Sequence, residues 1–140
     1  MGRILAFDYG TKRVGMAVTD PLQMIASPLD TVASNEVFPW LKKYTAQETV
    51  DAFVVGWPSN LQGQATDATQ HVAQFCQALG NKFPDMPIHK VDERFTSTMA
   101  TQSMVAAGAK KKDRQKKAGK VDTVSATLIL QSYLEQQAHL

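Results

Sequence analysis

Two kinds of hydrophobic spacing alternate along this chain. Residues 3–7 (RILAF) and 14–19 (VGMAVT) are short apolar runs with the composition of strands, and the polar, Gly-containing stretch 8–13 links them. Asp20-Pro21 marks a turn, and 24–29 predicts a third short strand, so the three form an antiparallel meander. Beyond Ser34 or Asn35, either of which suits an N-cap, Val37, Trp40, Leu41 and Tyr44 recur at helical spacing. Residues 52–56 (AFVVG) are apolar throughout, as in a strand covered on both faces. A loop rich in Pro, Asn and Gly occupies 57–64, and a helix runs from Thr66 with Val72, Phe75, Cys76 and Leu79 on one face. Pro84 and Pro87 bracket the break before a strand at 88–91. Thr96 or Ser97 caps a further helix ending near Gly108, a suitable C-cap, and 121–137 is a final helix.

A meander of three strands followed by alternating helix and strand implies a mixed five-stranded sheet flanked by helices. The class is α/β, with a parallel portion in the second half. No repeat or linker interrupts the pattern, so residues 1–140 are expected to form a single domain.

Composition changes this picture little. The hydrophobic fraction is 44% and the charged fraction 20%, ordinary for a globular domain. A single cysteine, Cys76, excludes an internal disulfide framework and favours a reducing compartment. Residues 1–7 run almost directly into a polar loop, which leaves no room for the apolar core of a signal peptide. The longest apolar runs fall far short of the roughly 20 residues that span a bilayer. The expectation is a soluble, cytoplasmic protein without a membrane partner.

Charge changes it more. The net formal charge is only +2, but Lys110, Lys111, Lys112, Arg114, Lys116, Lys117 and Lys120 stand within one short segment beside a single acid, Asp113. That segment carries +6 and the rest of the chain −4. Such asymmetry is the footprint of a polyanion contact, although a solvated loop has the same composition.

Three carboxylates fall where the expected topology brings distant segments together: Asp8 at the end of the first strand, Glu93 just after the last, and Asp122 at the start of the final helix. Ser125 and Ala126, one turn on from Asp122, are small enough to let that helix end approach a sheet. Clustered carboxylates repel and raise one another's pKa. Divalent cations relieve the repulsion, and hard oxygen ligands suit Mg²⁺ or Mn²⁺. Two such ions about 4 Å apart suit in-line phosphoryl displacement. Zinc is not indicated, because His71, His89 and His139 are scattered and have no Cys at ligand spacing.

Each acid also has a plainer reading. Asp8 ahead of a Gly turn fits a turn cap, Glu93 fits an ion pair with Arg94, and Asp122 fits a favourable helix-dipole position. Whether Asp92 or Glu93 points inward stays open, since neighbours on an extended segment face opposite ways. Lys12 and Arg13 equally fit phosphate contacts and exposed turn charges. Trp57 fits packing better than base stacking, Asn60 fits a loop-shaping role, and Cys76, Met99 and Met104 fit packing.

Together the motifs are more specific. Asp8-Tyr9-Gly10-Thr11-Lys12-Arg13-Val14-Gly15, Gly56-x-Pro58-x-Asn60-x-x-Gly63, Asp92-Glu93-Arg94-Phe95-Thr96-Ser97 and Lys120-Val121-Asp122-x-x-Ser125-Ala126 occur in that order. The chain thereby resembles the YqgF/RuvX family, whose members are called Holliday-junction-resolvase-like proteins and pre-16S rRNA nucleases, from Ile4 to about Leu134. The resemblance implies an RNase H-like fold, two-metal phosphodiester cleavage and a role in maturing small-subunit rRNA. By motif position it makes Asp8, Glu93 and Asp122 the acidic, metal-binding triad. Phe95, where an aliphatic residue is common, and Trp57 and Ser59 around Pro58 depart from the family pattern.

The expected function is therefore an Mg²⁺-dependent endonuclease acting on precursor rRNA, in which Lys12, Arg13 and the basic segment contact nucleic acid. Resolution of branched DNA is the nearest rival and would favour a homodimer; the sequence leaves monomer and homodimer open. A non-catalytic nucleic-acid-binding module is a second class, disfavoured because all three acids are present. Asp8-Tyr9-Gly10-Thr11 is also similar to a phosphate loop of actin-like ATPases, but those proteins close two lobes over the nucleotide and this chain supplies one.

Overall fold

The structure, a computed structural model, describes residues 2–58, 67–92 and 118–138, with backbone alone at 67–68, 118–122 and 138. Five strands, β1 (Arg3–Tyr9), β2 (Arg13–Thr19), β3 (Ala26–Ala33), β4 (Val50–Trp57) and β5 (Ile88–Asp92), form one sheet in the order β3-β2-β1-β4-β5. The β1–β2 and β2–β3 pairs are antiparallel, whereas β4 joins β1, and β5 joins β4, in parallel. Three helices, α1 (Val37–Gln47), α2 (Asp67–Lys82) and α3 (Ala118–Ala138), complete the described elements. The fold is the expected mixed α/β sheet. The helix expected between Thr96 and Gly108 lies outside the described residues.

The sheet has a buried core on each face, and strand alternation decides which residue serves which. Leu5, Phe7, Val14, Met16, Phe53 and Val55 meet Val37 and Leu41 of α1 and Val72, Phe75 and Leu79 of α2. On the reverse face Ile4, Ala6, Ala17, Ala52, Val54 and Val91 meet Ala126, Ile129, Leu130 and Tyr133 of α3. Four alanines among these contacts keep side-chain bulk low between helix and sheet. Aromatic rings dominate the first core: Phe7 meets Phe53 and Phe75 edge-on, each at 5.4 Å between centroids. Edge-to-face pairs of this kind contribute about 0.5–1.5 kcal/mol beyond area burial. They seat α2 on the centre of the sheet.

Several boundaries differ from those the sequence predicts, each for a local reason. The third strand begins at Ala26 rather than residue 24 and runs on to Ala33. The Asp20 carboxylate accepts hydrogen bonds from the backbone N–H groups of Leu22, Met24 and Ile25 at 3.3, 2.8 and 2.8 Å. Gln23 adopts a positive φ of 59° within this turn. The N–H groups of Met24 and Ile25 thus serve the turn, not the ladder, and both side chains are exposed. Farther along, the β2–β3 register shifts between Met16, paired with Asp30, and Ala17, paired with Pro28. A proline without an N–H is tolerated beside such an irregularity on an edge strand.

The first helix also starts differently. Ser34–Glu36 forms a 3₁₀ turn, and neither it nor α1 has a side-chain cap. β1 runs to Tyr9 and β2 begins at Arg13, so Asp8 lies inside a strand and the link shrinks to Gly10–Lys12. α3 begins at Ala118, before the expected residue 121.

Candidate functional site

Asp8 is the penultimate residue of the central strand β1 and pairs with Gly15 of β2. Its position alternates in step with Ile4 and Ala6, which places it on the α3 face of the sheet. Next to it, Tyr9 turns to the other face and stacks on Phe75 of α2 at 4.5 Å between centroids. The strand is therefore anchored on its α2 side where the acid emerges. Because β1, β4 and β5 run parallel, Asp8, Gly56–Trp57 and Val91–Asp92 end at one edge of the sheet, where α/β folds usually bind ligands.

The turn after Asp8 is tight. The Gly10 N–H donates to the Arg13 carbonyl at 3.0 Å. A Cβ at position 10 would stand 2.8 Å from that same oxygen, so glycine is required there. Ser34 grips the turn from the far end of β3: its hydroxyl donates to the Thr11 carbonyl at 2.6 Å and its N–H to the Lys12 carbonyl at 3.1 Å. These bonds hold a cleft of about 280 Å³ lined by Asp8, Tyr9, Gly10, Thr11, Lys12 and Arg13. Thr11, Lys12 and Arg13 are exposed while Asp8 is half-buried. One carboxylate and two cations thus share an open cleft shaped by backbone constraints.

The alternation of β5 settles the position of Asp92. His89 contacts Tyr133 of α3 at 5.1 Å between ring centroids, and Val91 belongs to the α3 core. Lys90 and Asp92 therefore face the other way: the Lys90 ammonium sits 4.3 Å from the Trp57 ring centroid, and Asp92 pairs with Trp57. By this alternation Asp92 lies on the opposite face of the sheet from Asp8. Glu93 lies outside the described residues.

Position 122 falls early in α3, one turn ahead of the buried Ser125 and Ala126, and only its backbone is described. Among the described residues no group of three or more His, Cys, Asp or Glu side chains is positioned to hold a metal ion. Of the expected trio, Asp8 alone has a described side chain. A set of three carboxylates is a hard oxygen donor set and fits Mg²⁺ or Mn²⁺ chemically.

Of the expected nucleic-acid contacts, Lys12 and Arg13 are brought together beside Asp8. Lys110, Lys111, Lys112, Arg114, Lys116 and Lys117 lie outside the described residues, as does Asn60, and Lys120 is placed by its backbone in the first turn of α3. Trp57 is half-buried, packs on the first core and has Lys90 over its ring, so packing accounts for it. Cys76 is half-buried against the same core, and burial pushes its thiol pKa up, which suits a packing role. Sequence reasoning missed Ser34, whose contact with Thr11 spans 23 residues and has no local signature. It also missed Thr69, whose buried hydroxyl donates to the Pro58 carbonyl at 2.7 Å and ties α2 to the loop after β4. No described helix is long and apolar enough to cross a membrane.

Comparison with known proteins adds an independent line. The family model described as "RuvX: Holliday junction resolvase" matches residues 2–136. A protein of Amoebophilus asiaticus named "Putative pre-16S rRNA nuclease" is 52% identical over 96% of this chain and 94% of its own length. Proteins of the same name from Phocaeicola vulgatus and Christiangramia forsetii are 48% and 50% identical, over 100% and 96% of this chain and 100% and 98% of their own lengths. Among solved structures, Archaeoglobus fulgidus Pelota is similar at 15% identity and a TM-score of 0.43, over 65% of this chain and 26% of that one, too distant to carry an argument.

Proposed function

The chain belongs to the RuvX family of RNase H-like nucleases, and we propose that it is a divalent-cation-dependent endonuclease that cuts precursor 16S rRNA in the cytoplasm. The observation that carries this reading is Asp8. It stands at the C-terminal end of the central strand, on the α3 face, in a cleft rimmed by Lys12 and Arg13.

Asp8, Glu93 and Asp122 are the proposed catalytic carboxylates and the ligands of Mg²⁺ or Mn²⁺. Two such ions, when bound, supply a water nucleophile at neutral pH and offset the charge on the leaving oxygen. The chain's own part is positional. Lys12 and Arg13 attract a backbone phosphate to the mouth of the cleft. Ser34 and Gly10 hold the turn that presents them, so their geometry is set before substrate arrives. The basic segment from Lys110 to Lys120 precedes Asp122 directly and would guide the same backbone toward the carboxylates.

The test is a cleavage assay with Mg²⁺ that compares precursor 16S rRNA, plain single-stranded RNA and a four-way DNA junction. Selective cutting of the precursor supports the proposal, and failure to cut any RNA overturns it. The family description favours a second reading, resolution of branched DNA. That reading calls for a symmetric homodimer presenting two active sites, so a strictly monomeric chain would count against it.

A further inference from the structure

A second cleft lies between α1 and α2, on the face of the sheet away from α3. It has a volume of about 550 Å³ and is lined by Phe38, Pro39, Lys42, Lys82 and Phe83. Phe38 and Lys42 are one turn apart on α1, whereas Lys82 ends α2 and Phe83 follows it. The Lys82 ammonium sits 5.4 Å from the Phe38 ring centroid. Lys42 and Lys82 are both exposed, and neither takes part in the Arg3–Glu48 ion pair. Two exposed cations and two aromatic side chains therefore line one hollow, Lys82 over the Phe38 ring, and its size suits one nucleotide.

That combination selects its occupant. Two ammonium groups attract phosphates, and an aromatic wall adds stacking that any base can use, worth about 1–3 kcal/mol per base. An acidic peptide would satisfy the lysines and leave the rings without a flat partner. The cleft opens on the face of the sheet opposite Asp8, so a strand reaching both passes round the end of β1, and a chain of rings through the core relates the two. Phe38 meets Phe75 at 5.9 Å between centroids, Phe75 stacks on Tyr9 at 4.5 Å, and Tyr9 follows Asp8. Two ring contacts separate the hollow from the end of β1.

We propose that this cleft is a second nucleic-acid subsite, resting on the RNA-cleaving reading above, which holds a single-stranded RNA flank of the cut site. Lys42 and Lys82 contact its phosphates, and a base lies against Phe38 and Phe83.

The test measures binding of a mixed-sequence single-stranded RNA by anisotropy across a salt series, in chelator so that nothing is cut. It compares the wild-type chain with the double variant Lys42→Ala, Lys82→Ala, whose exposed positions leave the fold intact by thermal melting. Each phosphate contact on a single strand contributes about 0.7 to the slope of log affinity against log salt, so the double variant should lose about 1.4. With Mg²⁺ present it should raise KM for long RNA and leave kcat unchanged. RNA carrying 5-iodouridine should cross-link, on irradiation, to the peptide that contains Phe38 or Phe83. An unchanged salt slope, or cross-links confined to other peptides, overturns the subsite. So does competition by polyglutamate as strong as that by RNA, which would mark a general anion face. If the RNA binds here and no RNA is ever cut, the nuclease reading fails and the subsite stands. If RNA is cut normally and the slope does not move, the subsite alone fails.

Discussion

The Ser34 hydroxyl donates to the Thr11 carbonyl at 2.6 Å, and this bond ties the end of β3 to the turn that follows Asp8. The Ser34 backbone N–H bonds the neighbouring Lys12 carbonyl, so one residue holds two successive carbonyls of the turn. A hydrogen bond of this kind contributes about 0.5–1.5 kcal/mol net, and an exposed one falls at the lower end. Ser34→Ala should therefore lower stability by about 0.5 kcal/mol. Its larger effect should be on KM for RNA, because the carbonyl it releases belongs to Thr11, the residue that leads into Lys12 and Arg13, while the backbone bond to the Lys12 carbonyl remains. Thermal melting and steady-state cleavage check both. An unchanged KM with lowered stability would confine Ser34 to a structural role.

The acid positions make a sharper prediction. Altering a partner that merely orients a metal ligand commonly costs 10–100-fold in activity, so losing a ligand should cost at least about 100-fold. Asp8→Asn is expected to fall to that level while keeping its fold. It should melt no lower than wild type in chelator, since one like charge has left the cluster. Wild-type chain should lose cleavage in chelator and regain it with Mg²⁺ or Mn²⁺. Glu93→Gln should match Asp8→Asn. Asp92→Asn should stay near wild type, because Asp92 pairs with Trp57 on the far face of the sheet. If Asp92→Asn proves the damaging member of the pair, the assignment of the two faces of β5 is wrong for function.

Asp20 supplies a prediction in pH. Backbone N–H groups of Ile25 and Met24 hold its carboxyl below its ordinary value. A group whose pKa is depressed by folding adds stability above its unfolded pKa and loses it as pH falls through the folded one. That window lies below about pH 4 for an aspartate. Asp20→Asn should therefore melt below wild type at neutral pH, and the gap should close on acidification below about pH 4. A gap that stays constant from neutral pH down to about pH 2 would show that charge plays no part in the turn.

The same turn explains which parts of the fold could be read in advance. Residues 52–56 were legible because both faces of β4 are covered: Phe53 and Val55 enter one core, Ala52 and Val54 the other. The bounds of β3 were not, because its apolar approach, Met24 and Ile25, belongs to a turn organised by Asp20, while Asp30 to Ala33 extend the strand at the edge of the sheet without a continuous apolar run. Ser34 reads as a helix cap in the sequence, but it lies inside the 3₁₀ turn and its hydroxyl donates to the distant Thr11 carbonyl. Asp8 could be recognised as an acid at a strand end ahead of a glycine turn. Which face Asp92 takes depends on which face of β5 meets α3, and the contacts of His89 and Val91 supply that.

The basic segment carries the last prediction. Lys110, Lys111, Lys112, Arg114, Lys116, Lys117 and Lys120 give 110–120 a charge of +6, whereas the remainder of the chain is −4. Attraction to a phosphate backbone should therefore come largely from this run, which leads directly to Asp122. Replacing Lys110, Lys111, Lys112 and Lys116 with Ala removes up to four phosphate contacts. At about 0.7 per contact, the salt dependence of single-strand binding should flatten by roughly 3 units. That is twice the change expected from Lys42 and Lys82, so the two sets of lysines can be told apart in one titration series. Affinity should fall alike for unrelated sequences, because phosphate contacts position a strand without reading its bases. The turnover of bound substrate should survive, since none of the four is a proposed metal ligand. If the quadruple variant keeps the wild-type salt slope, the run is a solvated surface. The weight of binding then passes to Lys12 and Arg13 beside Asp8, where the double variant Lys12→Ala, Arg13→Ala would have to show the missing change in slope.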